Sequence, residues 1–133
     1  MSRLLLDTHV WIWAEQEPSR LGNALKRKLL SGKTTILISP ISTLEIAQLV
    51  SKQRLELLRP LEEWVRKSIE NLQAETTPFT REIAISAYAD AALHLDPADR
   101  ILIATAYYLD ATMVTQDERI LGYEAVDALD CRE

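Results

Sequence analysis

Glycine is almost missing. Three residues in 133 leave no glycine-rich loop whose backbone amides could cradle a phosphate. A single cysteine, Cys131, excludes an internal disulfide and with it the stapled scaffold of a small secreted domain. One cysteine and two histidines make no Cys/His pattern for structural zinc. No apolar run approaches the ~20 residues that cross a bilayer, and the N-terminus has no signal-peptide core. These absences predict a cytoplasmic chain with no membrane contact. Positive charge is also short: 15 Lys and Arg against 20 Asp and Glu give a net charge of −5, which argues against a general nucleic-acid binder.

What is present is enough for a proper core. A hydrophobic fraction of 47% and a charged fraction of 26% are those of an ordinary globular protein, and the length predicts one domain over residues 1–133. The stretch Arg3-Leu4-Leu5-Leu6-Asp7-Thr8-His9 organises the rest. An apolar run bounded by polar residues reads as a strand buried on both faces, and Asp7 sits at its carboxyl end, the side on which open parallel sheets bind ligands.

Strand and helix patterns then alternate. Residues 8–15 read as a short apolar helix or turn. Ser19 is the expected N-cap of a second helix ending at Ser31-Gly32. Residues 34–39 are β-branched and read as a strand that Pro40 ends. Ser42-Thr43-Leu44-Glu45 has the spacing of a capping box. Pro60 opens an amphipathic helix over residues 61–72, and residues 74–79 are a weak strand. Thr80 caps a helix from 81 to about 93. Residues 94–100 read as a polar connection before a nearly all-apolar helix over 101–109. A strand over 111–115 and a short last one near 125–129 complete an α/β fold with a mostly parallel sheet.

Asp7, Glu45 and Asp117 each follow an expected strand within a few residues. Asp99 lies in the helix-start sequence Asp96-Pro97-Ala98-Asp99. Each acid alone has an ordinary explanation: Asp7 as an N-cap, Glu45 in its capping box, Asp96 and Asp99 at a helix start, Asp117 in a turn. Together they fall on one edge of a parallel sheet. Carboxylates gathered there repel, so some hold protons unless a cation neutralises them. Oxygen ligands alone suit Mg²⁺ or Mn²⁺, which can activate water against a phosphodiester.

Four stretches carry a family resemblance: Leu4-Leu5-Leu6-Asp7-Thr8-His9; Ser42-Thr43-Leu44-Glu45-Ile46-Ala47; Asp96-Pro97-Ala98-Asp99-Arg100-Ile101-Leu102-Ile103-Ala104-Thr105-Ala106; and Val114-Thr115-Gln116-Asp117-Glu118-Arg119-Ile120. In this order the sequence resembles the PIN-domain nucleases, above all the VapC-type toxins of bacterial toxin–antitoxin pairs. The resemblance runs nearly end to end. It implies a three-layer α/β/α sandwich with a mostly parallel central sheet, and a Mg²⁺- or Mn²⁺-dependent endoribonuclease that acts on RNA, forms a homodimer and is bound by a cognate antitoxin. It places the catalytic and metal-binding acids at Asp7, Glu45, Asp99 and Asp117, with Thr115 as the small hydroxyl residue before the last acid and Asp96 as a supporting neighbour.

Other features are weaker. His9 reads as a hydrogen-bonded structural residue, since zinc would need further ligands of its kind, and His94 as a loop residue. There is no Gly-x-Ser-x-Gly elbow for a serine hydrolase. Trp11, Trp13 and Trp64 are expected in the core or at a partner contact. Lys26, Arg27, Lys28, Lys52, Arg54 and Arg59 form solvated faces, some available to RNA phosphates. The alternatives are a receiver-like domain, which would want paired acids early and a late Lys that this sequence lacks, and a catalytically silent PIN-like binding module.

Overall fold

A computed structural model describes residues 2–133. Strand β1 (Ser2–Leu6) is followed by α1 (Thr8–Gln16), a 3₁₀ turn at Pro18–Arg20, α2 (Asn23–Leu30), β2 (Thr34–Ile38), α3 (Pro40–Ser51) and α4 (Leu61–Leu72). Then come β3 (Glu75–Thr76), α5 (Arg81–Ser86), α6 (Pro97–Tyr108), β4 (Thr112–Thr115), α7 (Glu118–Leu121) and β5 (Ala128–Asp130). The strands form one sheet in the order β3-β2-β1-β4-β5, and every neighbouring pair is parallel.

Both faces of the sheet are covered, which is why its central strands are apolar without interruption. Leu4, Leu6, Ile36, Ile38 and Val114 pack with Trp11, Leu25, Ile46 and Trp64 on one side. Leu5, Leu37 and Met113 pack with Leu102, Ile103, Ala106 and Ile120 on the other. The two-residue alternation of a strand sorts neighbours in sequence to opposite cores. The result is the expected three-layer α/β/α arrangement.

Several element boundaries differ from those the sequence suggests. Helix α2 is capped by Gly22, not Ser19. Its N-terminal amides are satisfied from a distance: Gly22 N donates to the Cys131 carbonyl at 2.9 Å and Leu25 N to that of Glu133 at 3.1 Å. A Cβ at Gly22 would lie 2.0 Å from the Glu133 carbonyl group, so only glycine lets this segment dock. Helix α3 begins at Pro40, with Ser39 accepting from Ile41 N at 3.1 Å. The capping box at Ser42–Glu45 is therefore overturned, since both residues lie inside the helix. Helix α5 stops at Ser86 rather than near 93, and α6 starts at Pro97 under an Asp96 cap, not after a connection reaching Arg100.

The tryptophans are core residues. Trp11, Trp13 and Trp64 are 0%, 8% and 2% exposed, which overturns the reading of their surface as a partner contact. The indole N–H of Trp11 donates to Ser68 Oγ at 3.0 Å, and that of Trp64 to Gln16 Oε1 at 2.9 Å. Among the described residues, no helix is long and apolar enough to cross a membrane.

Candidate active site

The chain leaves β1 toward β2 and β3 on one side of the sheet and adds β4 and β5 on the other. Such a reversal opens a crevice at the carboxyl ends of the two central strands. Asp7 follows β1 there, and its backbone N–H extends the ladder to the Val114 carbonyl at 2.9 Å. Its side chain caps α1, with Oδ1 accepting from Thr8 N at 2.7 Å. Oδ2 accepts from the Thr115 hydroxyl at 2.7 Å. Capping and a site position thus coexist in Asp7.

Glu45 reaches the same place from the second turn of α3. It accepts a short hydrogen bond from the Thr8 hydroxyl, which also lies 3.0 Å from the buried Ser42 hydroxyl. Ser42 and Glu45, three residues apart on one helix, share a face. Asp99 is in the first turn of α6, where its N–H donates to the Asp96 cap at 2.9 Å. Asp117 caps α7, and its N–H donates to Thr115 Oγ1 at 3.0 Å.

All four expected acids, and Asp96, line one solvent-open cavity of about 290 Å³ with Thr8, His9, Val10 and Gln116. Larger hollows exist, one of about 500 Å³ beside Asp110 and Asp127 and one of about 610 Å³ beside Arg54. Neither gathers more than two carboxylates, so chemistry rather than size locates the site.

The electrostatics follow from burial and mutual repulsion. Burial pushes the Asp99 carboxyl up to about 7, aided by the charges of Asp7, Asp96, Glu45 and Asp117. Burial also raises Asp7, although its bonds from Thr115 and Thr8 pull the other way. Glu45 is raised for the same first reason, against the Thr8 hydrogen bond. Asp117 is the exception. The Arg119 guanidinium holds it below the usual carboxylate range with a two-point fork, Nε to Oδ1 at 3.1 Å and Nη2 to Oδ2 at 2.8 Å.

Three acids are thus short of positive charge, and their oxygens are hard donors of the kind Mg²⁺ and Mn²⁺ take. Among the described residues, however, no three His, Cys, Asp or Glu side chains are drawn together closely enough to hold a metal ion as they stand. The acids share the cavity, but hydroxyl, amide and guanidinium donors engage Asp7, Glu45 and Asp117. The donor set fits an ion held by one or two carboxylates that keeps several of its waters, the usual state of protein-bound Mg²⁺.

Sequence reasoning missed three features of this site. Thr8 carries the bond that orients Glu45, a role signalled only by its place beside Asp7. His9 is an exposed wall of the cavity rather than a hydrogen-bonded structural residue, with its ring centroid 5.9 Å from that of Trp13. Arg100, within the third motif, turns away from the acids. Its buried guanidinium donates to the carbonyls of Ala87, Asp90, Leu93 and Leu95.

Residues 4–126 match the PIN domain family. The chain belongs to that family. It is 32% identical over 124 residues to Ribonuclease VapC22 of Mycobacterium tuberculosis, an alignment covering 92% of this chain and 93% of that protein. The fold of this PIN domain is also that of solved structures with far less sequence in common. One is VapBC2 from Rickettsia felis bound to a promoter DNA fragment, at a TM-score of 0.72 and 17% identity over 96% of this chain and 97% of that one. Another is a toxin-antitoxin complex from Klebsiella pneumoniae, at a TM-score of 0.66 and 19% identity over 98% of each chain. Membership in the PIN family removes the receiver-like alternative.

Proposed function

We propose that this PIN domain is an endoribonuclease that requires Mg²⁺ or Mn²⁺ and hydrolyses RNA phosphodiester bonds. We further propose that it is the toxin of a toxin–antitoxin pair, acting as a homodimer and bound by a cognate antitoxin. One observation carries the catalytic reading: Asp7, Glu45, Asp99 and Asp117 arrive from four different elements at one open cavity. The likeness to a ribonuclease over nearly the whole chain supports the substrate. The fold shared with a toxin-antitoxin complex supports the partner.

Asp7, Glu45, Asp99 and Asp117 would surround the ion, one or two of them holding it directly and the others through its waters. A bound divalent ion supplies two things here, activation of a water for attack and neutralisation of charge gathering on the phosphate oxygens. The chain's own residues do the rest. Thr115 and the Thr8 amide fix both oxygens of Asp7. Thr8 fixes Glu45. The Asp96 cap holds the first turn of α6 so that Asp99 faces the other acids. Positions set by buried hydroxyls and helix starts require little rearrangement when substrate arrives.

The test is cleavage of an RNA by the wild-type chain and by Asp7→Asn, each in chelator and with Mg²⁺ or Mn²⁺. We expect activity only for wild type with metal, and products ending in 5′-phosphate and 3′-hydroxyl, since water rather than the ribose 2′-hydroxyl attacks. Cleavage in excess chelator, or 2′,3′-cyclic phosphate ends, overturns the mechanism. No cleavage of any RNA under any metal condition returns the chain to the silent binding module. Sedimentation at micromolar concentration tests the homodimer.

A further inference from the structure

Arg119 is the one basic side chain of the last motif that reaches an acid of the cavity, and its bonding is peculiar. It takes both oxygens of Asp117 while 63% of its own side chain stays exposed. Its Nη1 lies 3.5 Å from the His94 carbonyl, so the guanidinium spans the rim between the loop before α6 and the start of α7. An exposed fork of this kind contributes little to stability and can be exchanged cheaply. The same Asp-x-Arg fork recurs at Asp130 and Arg132, with Nε and Nη2 on the two carboxylate oxygens at 2.8 Å each. The turn itself is therefore a local habit of this chain. What sets Arg119 apart is that its carboxylate lines the acid cavity, whereas Asp130 does not.

Resting on the metal-dependent ribonuclease reading above, we propose that Arg119 is an internal stand-in cation. It occupies Asp117 while the cavity is empty of metal, gives it up when a divalent ion is bound, and then contacts an RNA phosphate at the rim. Two observations converge on this. Asp117 is the acid whose two oxygens are both engaged by a charged side chain, so ion and guanidinium compete for the same atoms. No Lys or Arg lines the cavity itself, so an RNA backbone arriving there meets its nearest guanidinium at the rim, on Arg119. A planar guanidinium on an exposed stem matches phosphate geometry.

The competing role, a purely structural brace that orients Asp117 for the metal, predicts the opposite sign in one readout. Mn²⁺ affinity is measured without RNA, by the resonance of free Mn²⁺, for wild type, Arg119→Gln, Arg119→Lys and the control Arg132→Gln. KM for a single-stranded oligoribonucleotide is measured at saturating Mn²⁺ over a range of salt. Loss of a competing exposed ion pair should tighten Mn²⁺ binding by up to about fivefold in Arg119→Gln. The same variant should raise KM and flatten the slope of log KM against log salt by about 0.7, the share of one phosphate contact to a single strand. Arg119→Lys should keep most of the salt slope and still loosen the fork. Arg132→Gln should change neither quantity.

Weaker Mn²⁺ binding in Arg119→Gln makes Arg119 a brace and overturns the proposal. Tighter binding with an unchanged KM overturns its phosphate role. No change in either overturns both halves. Absence of Mn²⁺ binding by wild type is a different failure, that of the metal site itself, and this inference falls with it. Melting of each variant in chelator identifies any that is unfolded, in which case the lysine variant decides.

Discussion

Two threonine hydroxyls do much of the positioning at this site. Thr115 donates to Asp7 and accepts from the Asp117 amide. Thr8 donates to Glu45. Thr115→Val keeps the shape and removes the donor, leaving a half-buried carboxylate short of a partner. It should cost about 1–3 kcal/mol, the range for leaving a buried polar group without its partner, and lower cleavage as well, while Thr115→Ser restores both. Asp7→Asn separates two roles. Asn caps a helix about as well as Asp and removes one of the buried, mutually repelling charges, so melting in chelator should hold or rise, whereas activity should fall by at least about a hundredfold. A large loss of stability in Asp7→Asn would make Asp7 a structural residue. The acids were legible in the sequence because each follows an apolar run or sits at a helix start. Their hydroxyl partners were half legible. Thr115 stood in a motif, but nothing local signalled that Thr8 would meet an acid 37 residues away. The Arg119 fork was not legible at all, since Asp-x-Arg turns occur both in the cavity and outside it.

At the scale of elements, the central strands were readable and the helix ends were not. The runs over β1, β2 and β4 are apolar because both faces are covered, and that signal is local. Helix starts depend on what satisfies free amides, and here the partner is often remote. Gly22 starts α2 because the backbone of Glu133 docks against it. Past the end of α5, the carbonyls of Ala87, Asp90, Leu93 and Leu95 turn to the distant Arg100 side chain. The start of α3 is different: Ser39-Pro40 is a cap followed by proline at the first helical position, but the preceding β-branched run drew Ser39 into the strand. The two versions of α3 predict different losses. With Ser39 as the cap, Ser39→Ala should destabilise by about 1 kcal/mol in chelator. With a capping box starting at Ser42, Ser39 would cap nothing and the same variant would be nearly neutral. Denaturant midpoints of wild type and Ser39→Ala decide it.

For the whole molecule, the sum of these placements is an acid cavity that works against the fold that builds it. Asp99 binds its proton more tightly in the folded chain than in the unfolded one, at about 7 against 3.8, because burial and four neighbouring carboxylates penalise its charge. A folded-state pKa raised in this way contributes stability that is whole below about 3.8 and lost as pH rises through about 7. Asp7 and Glu45 are raised too and add to the same slope. Asp117, lowered by Arg119, has the opposite sign, but its contribution is lost only as pH falls through its depressed value, below this window. The metal-free chain should therefore melt at a lower temperature at pH 7.5 than at pH 5. Asp99→Asn, which cannot ionise, should lose much of that decline. Mg²⁺ or Mn²⁺ should raise the melting temperature of wild type more at pH 7.5 than at pH 5, because bound cation offsets the repulsion only where the acids are charged. Melting in chelator that rises steadily from pH 5 to 7.5 in wild type, with the same profile in Asp99→Asn, would mean that the carboxylates are too far apart or too well solvated to feel one another.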